Sequence, residues 1–389
     1  MGLIPNTHRN LKDSYTVSQY HTLNGRGLTD FSQEEMIREK PPYQNFLVTG
    51  GAGFIGSNFV RYMLEKYTTC RIVVYDCLSY SGNLSTLREL SATYGERYTF
   101  IQGDICDEVQ VGNALMQHEI DCIVNFAAET HVDRSLMDPG VFARTNVMGT
   151  CALLEQTRRY EIKRFHQIST DEVYGQILQG SFKETDNLRP RNPYSATKAG
   201  ADSLCLAYFN SFDLPITISR GSNNIGPYQY PEKVVPLFVT NLLDELPIPV
   251  YGDGTYERDY LYVHDHCEAI DYILHLGQMG EVYNIGSGHE TKNITLASTL
   301  CDLLCKPTSL IRLVDDRPGQ DRRYSLDSSK LESLGWQPKH TLIDGLKASV
   351  TWYVENEWWW RPIKEGNFKV YFERQYKQRM AHAAPSPVA

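Results

Sequence analysis

Tyr194 and Lys198 stand four residues apart. On a helix that spacing puts both side chains on one face. An ammonium beside a phenol favours the phenolate and lowers its pKa toward working pH, and a phenolate can take a proton from a hydroxyl. A second cluster lies upstream, in Ser169-Thr170-Asp171-Glu172-Val173-Tyr174-Gly175. A dehydration needs one acid for the departing hydroxyl and one base for a carbon-bound proton. Two close carboxyls can hold a single proton between them and divide those roles. Each pattern alone is commonplace: many surface helices carry a tyrosine and a lysine, and an Asp-Glu pair often ends a solvated loop. Their weight comes from the elements that carry them.

Short apolar runs at Asn45–Thr49, Arg71–Tyr75, Tyr98–Gln102, Cys122–Phe126, Arg164–Ser169 and Ile216–Ser219 read as strands. Between them lie segments of helical period: one carrying Phe54, Ile55, Phe59, Val60, Met63 and Leu64, others near 84–94, 108–118 and 141–160, and a long one over Tyr194–Phe212. Regular alternation implies a parallel sheet covered on both faces, an α/β doubly wound architecture. Ligands of such sheets bind at the carboxyl ends of the strands. The fifth strand runs out into Thr170–Gly175 and the Tyr194 helix follows it, so both clusters reach that end. After about residue 225 prolines multiply and the rhythm breaks, with helices near 235–244, 264–276, 294–305 and 343–354 and strand-like pieces at 248–251 and 281–285. That region reads as a smaller C-terminal lobe.

Gly50-Gly51-Ala52-Gly53-Phe54-Ile55-Gly56 joins the first strand to the first helix. It satisfies both GxGxxG and GxxGxxG. The spacing suits a tight turn, close backbone approach to a pyrophosphate, and a helix N-terminus aimed at its charge. Asp76 closes the second strand, about 20 residues past the last glycine, where an acid meets the adenosine ribose. A carboxylate there repels a 2′-phosphate, so NAD is favoured over NADP. Asp104-Ile105, after the third strand, is placed to flank the adenine, although an aspartate starting a helix is often only a cap. The sheet is thus a Rossmann domain over residues 43–225, with return segments from later in the chain. Residues 226–380 form mainly a substrate-binding lobe, 1–42 an appended polar arm, and 381–389 a frayed tail.

Composition narrows the function class. The 389-residue chain carries a formal charge of -9, which argues against nucleic acid as a partner but leaves room for a locally basic, anion-binding pocket. Nine cysteines are scattered with no CxxC pair, and Cys301 and Cys305 have no nearby histidine to complete a metal set. Reduced thiols in a cytoplasmic enzyme without metal are expected. No apolar run approaches the ~20 residues of a membrane span. The N-terminus lacks a signal pattern, Asn6 spoils a myristoylation start, and the arm is too acidic for a transit peptide.

Thr170–Gly175, Tyr194 with Lys198, and Asn223-Asn224-Ile225-Gly226-Pro227-Tyr228-Gln229-Tyr230-Pro231-Glu232-Lys233 together resemble the dTDP-glucose 4,6-dehydratases, a branch of the extended short-chain dehydrogenase/reductases. The resemblance runs from about residue 45 to 378. It implies oxidation at carbon 4 of a nucleotide-sugar, elimination of water across carbons 5 and 6, and hydride return to carbon 6. Thr170 would hydrogen-bond near the 4-hydroxyl, Tyr194 would be its base, Asp171 the acid, and Glu172 the base at carbon 5. NAD would lie against Gly50, Gly53, Phe54, Ile55, Gly56, Asp76, Asp104, Ile105, Ala127, Tyr194 and Lys198. His131 would sit near nicotinamide and sugar. Asn223, Lys233, Arg258, Asn293 and Arg317 match positions that hold the nucleotide diphosphate, Val234 would be a further substrate contact, Pro249 and Tyr251 would pack on the base, and Tyr376 matches a tyrosine that reaches the substrate.

The chain departs from that pattern in three places. Gln320 stands where some members have His, Ile225 replaces a common Tyr, and Tyr260 replaces the usual Trp. Other readings stay open: the same dehydration on UDP-glucose, a 4-epimerase, or a catalytically silent NAD-binding sensor. The epimerase would not need the Asp-Glu pair, and the sensor predicts erosion of side chains that are intact. The helix from Tyr194 carries Ala196, Ala199, Leu204, Leu206, Ala207 and Phe209, apolar on more than one side. A sheet-covering helix needs only one apolar stripe, so a homodimer through a partner helix is expected.

Overall fold

The computed structural model describes residues 40–316, 319–381 and 384–385. Seven parallel strands form the central sheet in the order β3-β2-β1-β4-β5-β6-β10. They are β1 (Asn45–Thr49), β2 (Arg71–Asp76), β3 (Tyr98–Gln102), β4 (Cys122–Asn125), β5 (Arg164–Thr170), β6 (Ile216–Gly221) and β10 (Val282–Ile285). The strand order reverses between β1 and β4, and a crevice opens there at the carboxyl ends. β10 comes from the later chain and returns to the sheet edge beside β6.

Both faces are covered, which is why the strands read as nearly continuous apolar runs. One face packs on α1 (Phe54–Lys66) and α6 (Val263–Leu276), through residues such as Phe59, Met63, Ile270 and Ile273. The other packs on α2 (Glu108–Gln117), α3 (Thr150–Arg159) and α4 (Pro193–Phe212), through Val111, Leu115, Leu153, Leu154 and Cys205. Polar residues inside the sheet satisfy one another. Thr49 Oγ1 donates to Asn125 Oδ1 at 2.6 Å, and Asn125 Nδ2 donates to Gln167 Oε1 at 2.8 Å, a ladder across β1, β4 and β5.

The second core joins α5 (Val234–Leu243), α7 (Asn293–Leu303), α8 (Leu342–Glu355) and the strands β8 (Ile248–Tyr251), β9 (Glu257–Tyr262) and β12 (Ile311–Val314). β9 pairs with β7 (Asn223–Ile225) and β11 (Glu290–Lys292), while β12 pairs with β8. Two further helices, α9 (Glu357–Glu365) and α10 (Asn367–Ala381), close over this core through Trp359, Trp360, Phe368, Tyr371 and Tyr376.

Three local readings need correction. The segment near 84–94 is not one helix: Asn83 caps a 3-10 turn over Leu84–Leu87, and a short helix over Leu90–Tyr94 ends at Gly95 with φ +54°. The segment 141–160 is not uniform either, because Ala143–Gly149 is a π-helix. A Cβ on Gly149 would lie 2.5 Å from Ile105, and the wide turn sets Asn146 to bond both Glu129 N and Glu129 O. The strands β7, β9, β11 and β12 and the helices α9 and α10 were not expected, since they are short, carry charge or proline, and lack a clean period. The expectations for the arm fall largely outside the described residues, as do most of those for the tail.

Candidate active site

β5 ends on Thr170, whose hydroxyl accepts the Glu172 backbone N–H at 3.3 Å. A single 3-10 turn, Asp171–Tyr174, follows. Its downstream half is an anchor. Val173 and Tyr174 are buried, the Tyr174 ring stacks on Phe182, and its hydroxyl donates to Asn284 Oδ1 at 2.8 Å while accepting from Arg220 at 2.8 Å. Gly175 then turns the chain at φ +80°, where a Cβ would meet Arg189 O at 2.4 Å. The anchor leaves Asp171 and Glu172 at a defined place above the sheet.

The two carboxyls differ. Asp171 is 2 % exposed, Thr170 Oγ1 donates to its Oδ1 at 3.1 Å, and its Oδ2 is buried without a hydrogen-bond partner among the described residues. Burial first, and then the neighbouring Glu172 carboxylate, push Asp171 well above the usual carboxylate range. Glu172 is less enclosed, and its Oε2 accepts from Ser195 Oγ at 3.3 Å.

α4 starts from Asn192, which caps Ser195 N at 2.9 Å, with Pro193 at the first helical position. Tyr194, Ser195, Lys198, Ala199, Ala201, Asp202 and Cys205 form its buried face. Lys198 Nζ donates to Ile168 O on β5 at 2.6 Å, which moors the helix over the sheet. Burial pulls the ammonium down from its ordinary value. Burial, with the Glu172 carboxylate second, raises the Tyr194 phenol.

The glycine turn packs on backbone. Gly50 has φ +67°, and a Cβ there would lie 2.6 Å from Ala127 N; a Cβ on Gly56 would lie 2.5 Å from Gly50 O. Gly53 starts α1 in an extended conformation with no side-chain cap, so the first N–H groups of the helix face outward. Asp76 ties this turn to β2: its Oδ2 accepts Ala52 N at 3.0 Å and its Oδ1 accepts Leu78 N at 2.8 Å. Burial, offset by these two bonds, leaves Asp76 raised. Asp104 pairs with Arg144 at 2.8 Å and accepts Cys106 N. It does not cap the following helix, since Asp107 does that.

One cavity of about 420 Å³ joins these parts. Gly50, Gly53, Phe54, Ile55, Gly56, Asp76, Asp104, Ile105, Ala127, Thr170, Asp171, Glu172, Tyr194, Lys198, Asn223 and Lys233 all line it. The glycine turn lines one part of it, and Asp171, Glu172 and Tyr194 line another.

Other anticipated residues stand outside this wall. His131 and Tyr371 lie ring edge to face, Nδ1 3.4 Å from the Tyr371 hydroxyl. Val234 begins α5 beside Lys233, whose Nζ donates to Thr130 O at 3.0 Å. Pro249 lies in β8 with Tyr251, and the Tyr251 hydroxyl meets that of Tyr376 at 3.2 Å. Arg258 points its guanidinium at Asp321 O, Arg322 O and Glu257 O, and Asn293 accepts from the Tyr260 hydroxyl at 3.1 Å. Arg317 lies outside the described residues. Tyr80, Ser222, Asn224, Gln229, Glu232 and His266 also line the cavity and were not singled out from sequence. Several of them fall inside or beside the quoted Asn223–Lys233 stretch, which was the available signal. Among the described residues, no group of three or more His, Cys, Asp and Glu side chains could hold a metal ion, and no helix is long and apolar enough to cross a membrane.

The fold and site define a Rossmann-type α/β protein with two adjacent carboxyls beside a Tyr–Lys helix. A family profile described as GDP-mannose 4,6 dehydratase matches residues 47–349. A dTDP-glucose 4,6-dehydratase from an Actinoplanes species is 47 % identical over 320 residues, covering 81 % of this chain and 99 % of the relative. The dTDP-glucose 4,6-dehydratase DesIV of Streptomyces venezuelae, solved with NAD bound, superposes with a TM-score of 0.80 at 46 % identity, covering 82 % of this chain and 100 % of that one. The Bacillus anthracis dTDP-glucose 4,6-dehydratase, solved in complex with NAD, gives 0.77 at 46 % identity with the same coverage. The chain belongs to the dTDP-glucose 4,6-dehydratase family.

Proposed function

We propose that the protein dehydrates dTDP-glucose to dTDP-4-keto-6-deoxyglucose, with NAD held in the glycine cradle. The observation that carries this reading is the unequal pair at the end of β5. Asp171 is buried and its carboxyl is pushed above the usual carboxylate range, which favours its protonated form, while Glu172 beside it is more open and bonded by Ser195. An acid and a base side by side suit loss of water from adjacent carbons; a 4-epimerase has no use for them.

The cradle fits the cofactor because side chains are excluded where Gly50 and Gly56 pack on backbone. Gly50, Gly53 and Gly56 would hold its pyrophosphate, Asp76 its ribose, and Ile105 and Asp104 its adenine. Bound there, NAD supplies the acceptor for the hydride leaving carbon 4 and returns it to carbon 6. The chain's own residues move the protons. Tyr194 takes the 4-hydroxyl proton; the charge of a bound nicotinamide would lower its phenol, together with the Lys198 ammonium on the same helix face. Thr170 hydrogen-bonds near the same oxygen. Once carbon 4 is a ketone the carbon 5 proton is acidic, and Glu172 removes it while Asp171 gives its proton to the oxygen leaving carbon 6. Glu172 then returns a proton to carbon 5.

Asn223 and Lys233 would meet the diphosphate, with Val234, Arg258, Asn293 and Arg317 completing the nucleotide end. Pro249, Tyr251 and Tyr376 would face the base, and His131 the sugar. In this reading the lobe from 226 to 380 is mainly substrate-binding, and residues 43–225 hold the cofactor. Nine free cysteines and no disulfide suit a cytoplasmic enzyme. The outer side of α4 and its neighbour supports a homodimer. Phe212 is 49 % and Met148 63 % exposed there, and Ala196 and Ala207 are open. The test is turnover of dTDP-glucose and UDP-glucose side by side. Preference for dTDP-glucose with loss of the 6-hydroxyl supports the proposal; equal or better turnover of UDP-glucose moves the substrate, and recovery of a 4-epimer refutes it.

A further inference from the structure

Arg134 belongs to no catalytic group, yet four segments meet on it. It sits in a single helical turn after β4, Val132–Met137. Its Nε donates to Glu232 Oε2 at 2.9 Å, and the Glu232 side chain is 1 % exposed. Its guanidinium carbon lies 3.8 Å from the Tyr80 ring centroid and 4.6 Å from that of Tyr371. Tyr371 is on α10 and reaches His131, three residues before Arg134.

The Tyr80 loop covers the cofactor end of the cavity. Residues 79–82 follow Asp76 and line the cavity wall. They fold back on the glycine turn: Asn83 N donates to Ala52 O at 3.2 Å, and a Cβ on Gly82 would lie 2.7 Å from Asp76 Oδ1. Tyr230 supports the same junction, edge-on to Tyr80 at 5.6 Å and to Phe368 of α10 at 6.4 Å. Opening this loop therefore means separating Tyr80 from Arg134, and Arg134 is fixed from behind by a buried carboxylate and by the last helix of the chain. A guanidinium lays its flat face on aromatic rings while its N–H edge bonds a carboxylate, a planar fork that an ammonium does not reproduce. Removing it would leave Glu232 buried without its ion-pair partner, facing Lys233 and the Tyr80 hydroxyl.

We propose that Arg134 is a positioning residue for cofactor retention, tying α10 to the Tyr80 loop so that the dinucleotide leaves only when the tie opens. This rests on the proposed NAD site. A reaction that returns its cofactor unchanged gains from holding it through many cycles, and the tie makes retention depend on the C-terminal helix.

The test loads the full-length protein with radiolabelled NAD, adds excess unlabelled NAD, and follows label on the protein by rapid gel filtration, well below the melting temperature. Arg134→Gln should raise the exchange rate at least tenfold, and Tyr371→Leu by a similar factor. The double variant should exceed neither by much, because both break one tie. Arg134→Lys should fall between Arg134→Gln and wild type. Added NAD should restore the turnover that dilution removes, a response that a merely structural role would not give. Exchange within twofold of wild type in either folded variant overturns the proposal, even if the melting temperature falls; if Arg134→Gln does not fold, Tyr371→Leu decides alone. Wild-type protein that holds no NAD would instead remove the cofactor reading beneath it.

Discussion

Asp171→Asn should lower activity and raise stability together. Burial, and then Glu172, push the Asp171 carboxyl up in the folded chain, which favours its protonated form. A group whose folded pKa is raised stabilises fully below its unfolded pKa, near 4, and that contribution is lost as pH rises toward the folded value. Between the two the folded chain keeps a proton that the unfolded chain has released. Stability then falls by about 1.4 kcal/mol per pH unit from this one group. The amide has nearly the shape of the protonated carboxyl and nothing to ionise. The advantage of the variant should widen as pH rises above the unfolded value, read by urea unfolding at pH 5, 6 and 7. Turnover should fall on the order of 10²–10⁴-fold through loss of a general acid, or about 2.7–5.4 kcal/mol of barrier, while oxidation at carbon 4 persists. A stability difference that stays constant over this range would mean that Asp171 is ionised throughout, and the acid assignment would fail.

Tyr194→Phe removes the base and should lower turnover on the order of 100-fold or more, while calorimetry finds nucleotide-sugar affinity within a few-fold; an affinity that collapses with the rate makes Tyr194 a binding residue. Gly50→Ala puts a side chain at φ +67° and 2.6 Å from Ala127 N, a strain of roughly 1–2 kcal/mol from the dihedral alone. Titration should show NAD affinity at least tenfold weaker, and unchanged affinity would remove the cradle. Nucleotide released by denaturing the purified protein should be NAD(H), since Asp76 in the proposed site would face the 2′ position; predominant NADP(H) would contradict that placement.

Much of the central sheet was legible because parallel strands buried on both faces read as apolar runs between glycine and helix signals. The glycine turn, Asp76, Asp171, Glu172, Tyr194 and Lys198 were legible because each depends on a local spacing or a strand end. β9 was not, because its Glu257, Arg258 and Asp259 mask a buried strand whose polar groups are met by backbone carbonyls and by Ser287. The state of Tyr194 was not legible either: the spacing to Lys198 is visible in sequence, but the enclosing walls and the nearby Glu172 are tertiary facts. Arg134, Tyr80, Glu232 and Tyr371 come from four distant segments, and only folding brings them together.

The most direct test of the account is the reaction of dTDP-glucose in deuterated water, with the product examined by NMR. In the proposed mechanism Glu172 removes the carbon 5 proton and returns one from a carboxyl in exchange with solvent, so carbon 5 should carry deuterium. The 6-hydroxyl should be gone, and the hydrogen transferred from carbon 4 to carbon 6 should come from the substrate and not from solvent. A product with no deuterium at carbon 5 and an intact 6-hydroxyl would contradict the dehydratase assignment.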